Sequence, residues 1–259
     1  MLALVVDGLN LVRRVYAAVQ SSLDAQDHLD AATASIVGSA VRAVNETSPT
    51  HALGVFECEG KNWRHQLYPM YKAHRPAMPE PLRQGLPKIQ QALADRGLKS
   101  ISVPGFEADD VIASVAYKVA CRGGNVVVLS TDKSMCQLLG DRIRVRDHFN
   151  QRYLDEEYVQ DRFGVEPAML PSWLALVGDR SLNVPGVRTV GPRTAKQLIN
   201  QFGSLQSILE AAPTIKGKLG KTLQQHSDDA YLSLRLVTLR KDVDVGVNLS
   251  QFRYTQQRG

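Results

Sequence analysis

Cysteine is scarce in the 259-residue chain: Cys58, Cys121 and Cys136 are far apart and none belongs to a CxxC pair. A zinc ribbon or a disulfide framework is therefore not the organising feature, and a reducing compartment fits. The N-terminus lacks a cationic leader, since "MLALVVDGLN" reaches an aspartate at position 7, and a normal secretory signal is excluded. No apolar run approaches the roughly 20 residues that a membrane span requires. The expectation is a cytoplasmic protein without a membrane partner. A phosphate loop is missing as well. "GKT" at 220–222 has Ile215 where the motif needs its first glycine, so residues 216–221 are read as a solvated basic loop and no nucleotide cofactor is expected.

Positive charge, in contrast, is in surplus. The formal net charge is +5, which points towards a polyanionic partner. The cations cluster: Lys61, Arg64, His65, Lys72, His74, Arg75, Arg83 and Lys88 face a single acid, Glu80, within 61–88. Arg188, Arg193 and Lys196 flank a glycine-rich turn further on.

The acids cluster more tightly still. "FEADDVIASVA" (106–116) places Glu107, Asp109 and Asp110 within four positions, directly before a helical pattern of Val111, Ile112, Val115 and Val119. Acids in a first helical turn are stabilised by about 0.3–1 kcal/mol each. Three together repel one another unless a cation lies between them. From this stretch alone, helix capping and a divalent-metal site both remain open.

Three apolar runs, at 2–6, 52–56 and 125–130, are predicted to be buried parallel strands separated by helices, which indicates an α/β domain. Each run leads into an acid: Asp7, Glu57, and Asp132 after Thr131. Ligands of open α/β sheets bind beyond the carboxyl ends of the strands, where such side chains converge. Any one of these acids could simply begin a turn. Taken with 107–110, the set is read as an all-oxygen site for magnesium or manganese, because no histidine or cysteine accompanies it.

Beyond about residue 165 no strand-like run appears until the tail. "VPGVRTVGPRTA" (184–195) resembles a helix–hairpin–helix turn, whose glycines let backbone N–H groups approach a phosphate. The chain is accordingly divided into a catalytic α/β domain (1–164) and a C-terminal helical DNA-binding region (165–259).

In the order and spacing of its motifs, the chain resembles the bacterial flap endonucleases and 5′ nucleases, which include the nuclease domain of DNA polymerase I. It is most similar to their stand-alone Xni (exonuclease IX) branch. The carriers are "VVDGLNLVRRVY", "VFECEGKNWRHQLYPMYKAHRPAMP", "EADDVIAS", "STDKSMCQLL" and "LVGDRSLNVPGVRTVGPRTA". The resemblance implies a parallel-sheet, PIN-like 5′-nuclease core and a helix–three-turn–helix segment. It also implies cleavage of 5′-flapped, branched DNA in replication and repair by a monomeric bacterial enzyme, with no polymerase domain attached. Asp7, Glu107, Asp109 and Asp110 match ligand positions directly, and Glu57, Asp132 and Asp179 match with departures nearby. Glu57 replaces an aspartate, while Ser134 and Leu182 stand where the second metal site has carboxylates. Lys72 is implied to steady the scissile phosphate, with Arg14 and Arg75 gripping phosphates and Tyr71 stacking on a base. Backbone carbonyls of Leu176, Val177, Pro185, Val187 and Val190 match potassium-binding positions. Thr189, Val190, Gly191, Pro192, Arg193 and Thr194 match the duplex-contacting turn. A DNA-junction binder with a decayed nuclease site and a PIN-like ribonuclease are the alternatives.

Overall fold

The computed structural model describes residues 1–19 and 24–255. Its strands are β1 (Leu2–Asp7), β2 (His51–Val55), β3 (Lys99–Ile101), β4 (Asn125–Leu129), β5 (Ile143–Asp147) and β6 (Arg152–Tyr153). They form a six-stranded sheet in the order β3-β2-β1-β4-β5-β6. β1 to β5 run parallel and β6 pairs antiparallel with β5. Chain order reverses direction between β1 and β4, so the crevice of a doubly wound sheet falls at their carboxyl ends.

The central strands are apolar on both faces because both are covered. Ala3, Val5, Leu53, Val55, Val126 and Val128 pack on one side, with Val111, Ile112 and Val115 of α5 (Ala108–Cys121). Leu4, Val6, Ala52, Val127 and Leu129 pack on the other. There they meet α1 (Gly8–Ala18), α2 (Ala25–Thr47) and α4 (Glu80–Ala94) through Val12, Ile36 and Ile89. The five-residue α3 (Trp63–Leu67) precedes α4 in a cation-rich connection.

After α6 (Glu156–Phe163) the chain is helical: α7 (Leu170–Val177), α8 (Pro192–Phe202), α9 (Leu205–Ala211), α10 (Lys218–Gln225) and α11 (Ser227–Val237). Leu174, Leu176, Leu198 and Leu236 join the same apolar cluster as α5, so the helical region shares the core of the sheet domain. No described helix is long and apolar enough to cross a membrane.

The expected strands stand where the apolar runs predict them, whereas β3, β5 and β6 are additions. Among the described residues the tail adds no strand to the sheet; an isolated bridge, His51 with Arg253, and a hydrogen bond from the Tyr254 N–H to the Thr50 carbonyl at 2.9 Å tie it to the edge beside β2. Lys218 and Lys221 lie on α10, so only the first part of 216–221 is a loop.

Candidate active site

A cleft of about 340 Å³ opens at the carboxyl ends of β1, β2 and β4. Asp7, Glu57, Glu107, Asp109, Asp132 and Asp179 line it, together with Lys72, Arg13, Arg14 and Arg75. Helix α7 and the turn after it, through Leu174, Ser181 and Leu182, close the side towards the helical region.

Asp7 ends β1 and caps α1: its Oδ1 accepts from the Asn10 N–H at 3.1 Å, and its Oδ2 from the Ser130 hydroxyl at 2.7 Å. Asn10 in turn accepts from the backbone N–H and the hydroxyl of Thr131, at 3.2 and 3.0 Å, which ties α1 to the end of β4. Asp132 caps the 3₁₀ turn Lys133–Leu138 by accepting from the Ser134 N–H at 2.7 Å. Asp109 stands in the first turn of α5 and keeps partial exposure to the cleft. Glu57 is exposed at the rim. Asp179 accepts from Ser181 and Leu182 N–H groups at 2.8 and 3.3 Å, which fixes the turn below it.

Charge is costly here. Burial pushes the Asp7 carboxyl up to about 6, and neighbouring Asp132 and Glu57 add to the shift. Burial also raises Asp109 well above the usual carboxylate range, reinforced by Asp132 and Asp7. Glu107 behaves oppositely: burial disfavours its charge, but Lys72 and Arg64 outweigh that and hold it below its ordinary value.

Glu107 is almost fully buried and four groups contact it. Lys72 Nζ donates at 2.6 Å, Asn62 Nδ2 at 3.0 Å and Tyr71 Oη at 3.0 Å, while Arg64 Nη1 lies 3.2 Å away. Lys72 itself is non-glycine backbone at φ 54°, held by its N–H donating to the Leu182 carbonyl at 2.9 Å. Such a conformation costs about 1–3 kcal/mol and persists only where the surroundings impose it.

Three sequence expectations need correction. Asp110 does not line the cleft: it is fully buried, and Arg64, the Trp63 indole N–H and the Arg240 backbone N–H saturate its carboxylate. Tyr71 is 2% exposed, with its ring in the core and its hydroxyl on Glu107, so it presents no face to a base. Arg64 belongs to no basic surface. It is 1% exposed and donates to the carbonyls of Leu236 and Thr238 at 2.7 and 3.2 Å as well as to Asp110.

Arg13 was not singled out in the sequence, yet it lines the cleft beside Arg75, and its Nε is buried without a hydrogen-bond partner. Asn10, Arg13 and Arg14 share one helical face following a strand-end acid, which is a readable signal. Asn62 and Ser130 were also missed, and nothing in their sequence surroundings marks them.

Among the described residues no three acid, histidine or cysteine side chains converge closely enough to enclose an ion by themselves. The donor set still suits a hard divalent cation: oxygen ligands, two carboxyls raised by burial and by their acidic neighbours, and the Ser134 hydroxyl buried without a partner. Leu182 faces the same cleft and offers no ligand from its side chain.

The turn between α7 and α8 brings backbone against backbone. A Cβ on Gly178 (φ 76°) would lie 2.6 Å from the Val184 oxygen and 2.9 Å from that of Pro185; on Gly186 (φ 66°), 2.8 Å from the Val177 oxygen. The carbonyls of Val177 and Pro185 thus belong to a cradle only glycines permit. Leu176 and Val187 carbonyls already accept from Val187 and Val190 N–H groups, at 2.8 and 3.0 Å. Gly191 caps α8 and Pro192 begins it, leaving Thr189, Pro192 and Arg193 exposed and Thr194 partly so. Val190 is 4% exposed, so only its backbone is available to a ligand. A broader groove of about 1070 Å³, lined by Arg193, Lys196 and Lys216 and free of carboxylates, continues along α8.

A family model for the 5′-3′ exonuclease N-terminal, resolvase-like domain matches residues 2–164, and one for the 5′-3′ exonuclease C-terminal SAM fold matches 165–259. The chain is similar to "Flap endonuclease Xni" of Aeromonas hydrophila, with 40% identity over 97% of this chain and 95% of that protein. For the protein of the same name from Vibrio cholerae the identity is 38%, covering 96% and 95%. Among solved structures, the bacteriophage T5 5′-exonuclease with divalent metal ions (zinc) superposes with a TM-score of 0.78 at 20% identity, covering 92% of this chain and 89% of that one. The catalytic core of Rad2 in complex with DNA substrate gives 0.58 at 16% identity, covering 93% and 79%. At those identities the likeness is one of fold.

Proposed function

From the chain's membership of the 5′-3′ exonuclease family, we propose that it is a structure-specific flap endonuclease, hydrolysing a phosphodiester near the base of a 5′ DNA flap. The observation that carries this reading is the cleft itself, where Asp7, Asp109 and Asp132 crowd together beneath a rim of Arg13, Arg14 and Arg75. Acids forced to share a site favour a divalent cation, and the arginines favour a polyanion passing above it.

Magnesium, with manganese as a substitute, is the proposed cofactor, held mainly by Asp109 and Asp7 with Asp132, Glu57 and Glu107 in support. When bound, a divalent ion lowers the pKa of the attacking water and offsets the charge that builds on the phosphate. Asp179 is better placed to fix the turn at Ser181 and Leu182, since its Oδ1 already accepts from both.

Lys72 is the chain's own contribution to charge stabilisation. Its ammonium is anchored on Glu107 within the cleft, and its strained backbone holds the side chain in place. Transfer of that donor from Glu107 to a phosphate oxygen would place a fixed positive charge where negative charge develops. Arg14 and Arg75 would hold the strand through its phosphates. The turn from Thr189 to Thr194 would grip the duplex through the backbone N–H groups of Thr189, Gly191, Arg193 and Thr194 at the head of α8, with the Arg193 side chain adding attraction. The carbonyl cradle around Gly178 and Gly186 would take potassium beside that turn.

A second reading, a DNA-junction binder with a decayed site, rests on Leu182 facing the cleft in place of an acid. A gel assay with 5′-flap DNA, blunt duplex and single-stranded RNA, with and without magnesium, tests both. Magnesium-dependent cutting confined to the flap is expected. Flap binding without cutting at any magnesium or manganese level would favour the second reading, and RNA cleavage would contradict both.

A further inference from the structure

The loop following β5 presents an aromatic ring at the same end of the sheet as the acidic cleft. Phe149 is 37% exposed, yet the backbone carrying it is fixed. Asp147, 4% exposed at the end of β5, accepts from the N–H groups of Phe149 and Asn150, both at 3.1 Å, and from the Asn150 side chain at 2.6 Å. His148 packs edge-on against the Phe149 ring, with centroids 5.6 Å apart and planes at 70°. Its Nε2 is in turn 2.6 Å from the Ser39 hydroxyl of α2. A single exposed apolar side chain is ordinary on a protein surface. One whose loop is hydrogen-bonded into place and buttressed by a buried histidine is preorganised.

Arg14 connects this ring to the cleft. Its side chain lines the acidic pocket, and its guanidinium carbon lies 5.6 Å from the Phe149 ring centre. An aromatic ring with a guanidinium against it, beside a basic rim, combines the elements with which proteins hold single-stranded nucleic acid. The ring accepts a base of any identity, and the cation serves both ring and phosphate. The charge at this rim argues for a polyanionic strand over an apolar protein segment. Tyr71, which lines the cleft itself, is committed to the core and Glu107, whereas Phe149 keeps an exposed surface.

We propose that Phe149, backed by Arg14, is a stacking platform for an unpaired nucleobase of the single-stranded arm of the substrate. The proposal rests on the flap-DNA reading. The platform is independent of base identity, and it sets which strand geometry enters the cleft rather than how the phosphate reacts.

Fluorescence anisotropy with calcium in place of magnesium measures binding without cutting. Three DNAs are compared: a 5′-flap, the same flap with abasic nucleotides in its single-stranded arm, and a blunt duplex. The parent should bind the normal flap more tightly than the abasic one. Phe149→Ala should weaken binding of the normal flap by about five- to a hundredfold, leaving the abasic flap and the duplex as in the parent. Phe149→Trp should retain tight binding. Phe149→Leu, which keeps apolar bulk without a π-face, should behave as the alanine variant does and replaces it if that variant does not fold. Equal weakening on all three DNAs, no weakening, or a parent indifferent to abasic nucleotides would each overturn the platform. A parent that prefers the flap while Phe149→Ala matches it removes the platform alone. A parent with no preference for the flap over blunt duplex removes the underlying flap reading.

Discussion

Arg64 and Asp110 are joined at two points inside the protein, Nη1 to Oδ2 at 2.6 Å and Nη2 to Oδ1 at 2.8 Å. The same guanidinium reaches the carbonyls of Leu236 and Thr238, so the first turn of α5 is tied to the end of α11. The pair anchors the first turn of the helix that carries Asp109. Removing one partner of a buried ion pair costs about 3–5 kcal/mol, because the other is left charged and unpaired. Arg64→Ala and Asp110→Ala should each lower stability by roughly that amount in urea denaturation monitored by circular dichroism. A loss within a few tenths of a kcal/mol would mean that the pair does not hold α5 in place.

The raised carboxyl of Asp7 gives a pH dependence of definite sign. Its folded-state value of about 6 lies above the ordinary 3.8, so the metal-free folded protein binds this proton more tightly than the unfolded chain does. Stability should therefore be highest below the unfolded value and fall as pH rises through the window between about 4 and 6. Asp7→Asn removes the titration. The stability difference between parent and variant should shift against the parent from pH 4.5 to 7, and magnesium should reverse it, since binding requires the deprotonated carboxylate. A difference independent of pH would contradict the assignment.

The legibility of the sequence divides along physical lines. The three fully buried strands were readable because both of their faces are apolar. β3 has three residues and begins at an exposed lysine, β6 has two, and "IRVRD" of β5 alternates valine with arginine near the sheet edge, so none gives a continuous apolar run. The acids at strand ends were readable from position alone. What separates Asp109 from Asp110 is about 100° of helix rotation. Asp110 lies on the face of Ser114, whose hydroxyl donates to the Arg240 carbonyl and accepts from the Val243 N–H. That face is fixed by residues 130 positions away, and local sequence does not reveal it. The base-stacking role that the resemblance implies for Tyr71 is excluded by its burial and its hydroxyl's bond to Glu107, which local sequence does not reveal.

The potassium proposed for the carbonyl cradle predicts a dependence on the monovalent ion. At constant ionic strength, duplex affinity should be higher in potassium than in lithium, because the smaller ion is poorly matched to carbonyls held in place by the turn around Gly178 and Gly186. Gly186→Ala forces a Cβ to within 2.8 Å of the Val177 oxygen in a left-handed backbone, so it should abolish the difference between the two salts. Equal affinity of the parent in both salts would count against the site.

Ser134 and Leu182 offer a test by restoration. Ser134 has a buried hydroxyl without a partner, and both residues line the cleft. The double substitution Ser134→Asp and Leu182→Asp adds two carboxylates to an already crowded set. Thermal stability should drop without metal and recover largely with magnesium, while cleavage reaches half its maximal rate at a lower magnesium concentration. An unchanged magnesium dependence would show that the added acids do not reach the ion.

The most direct measurement compares single-turnover cleavage of a 5′-flap by the parent and by Asp109→Ala in magnesium, alongside calorimetric titration of the ion. Asp109 is crowded by Asp132 and Asp7 in the metal-free protein, so its removal should leave the fold intact and its apo stability equal or higher. Cleavage should fall below detection and the tightest magnesium-binding event should vanish, with flap affinity in calcium largely retained. A folded Asp109→Ala protein that cuts the flap at the parental rate would contradict the assignment of this cleft as the catalytic centre.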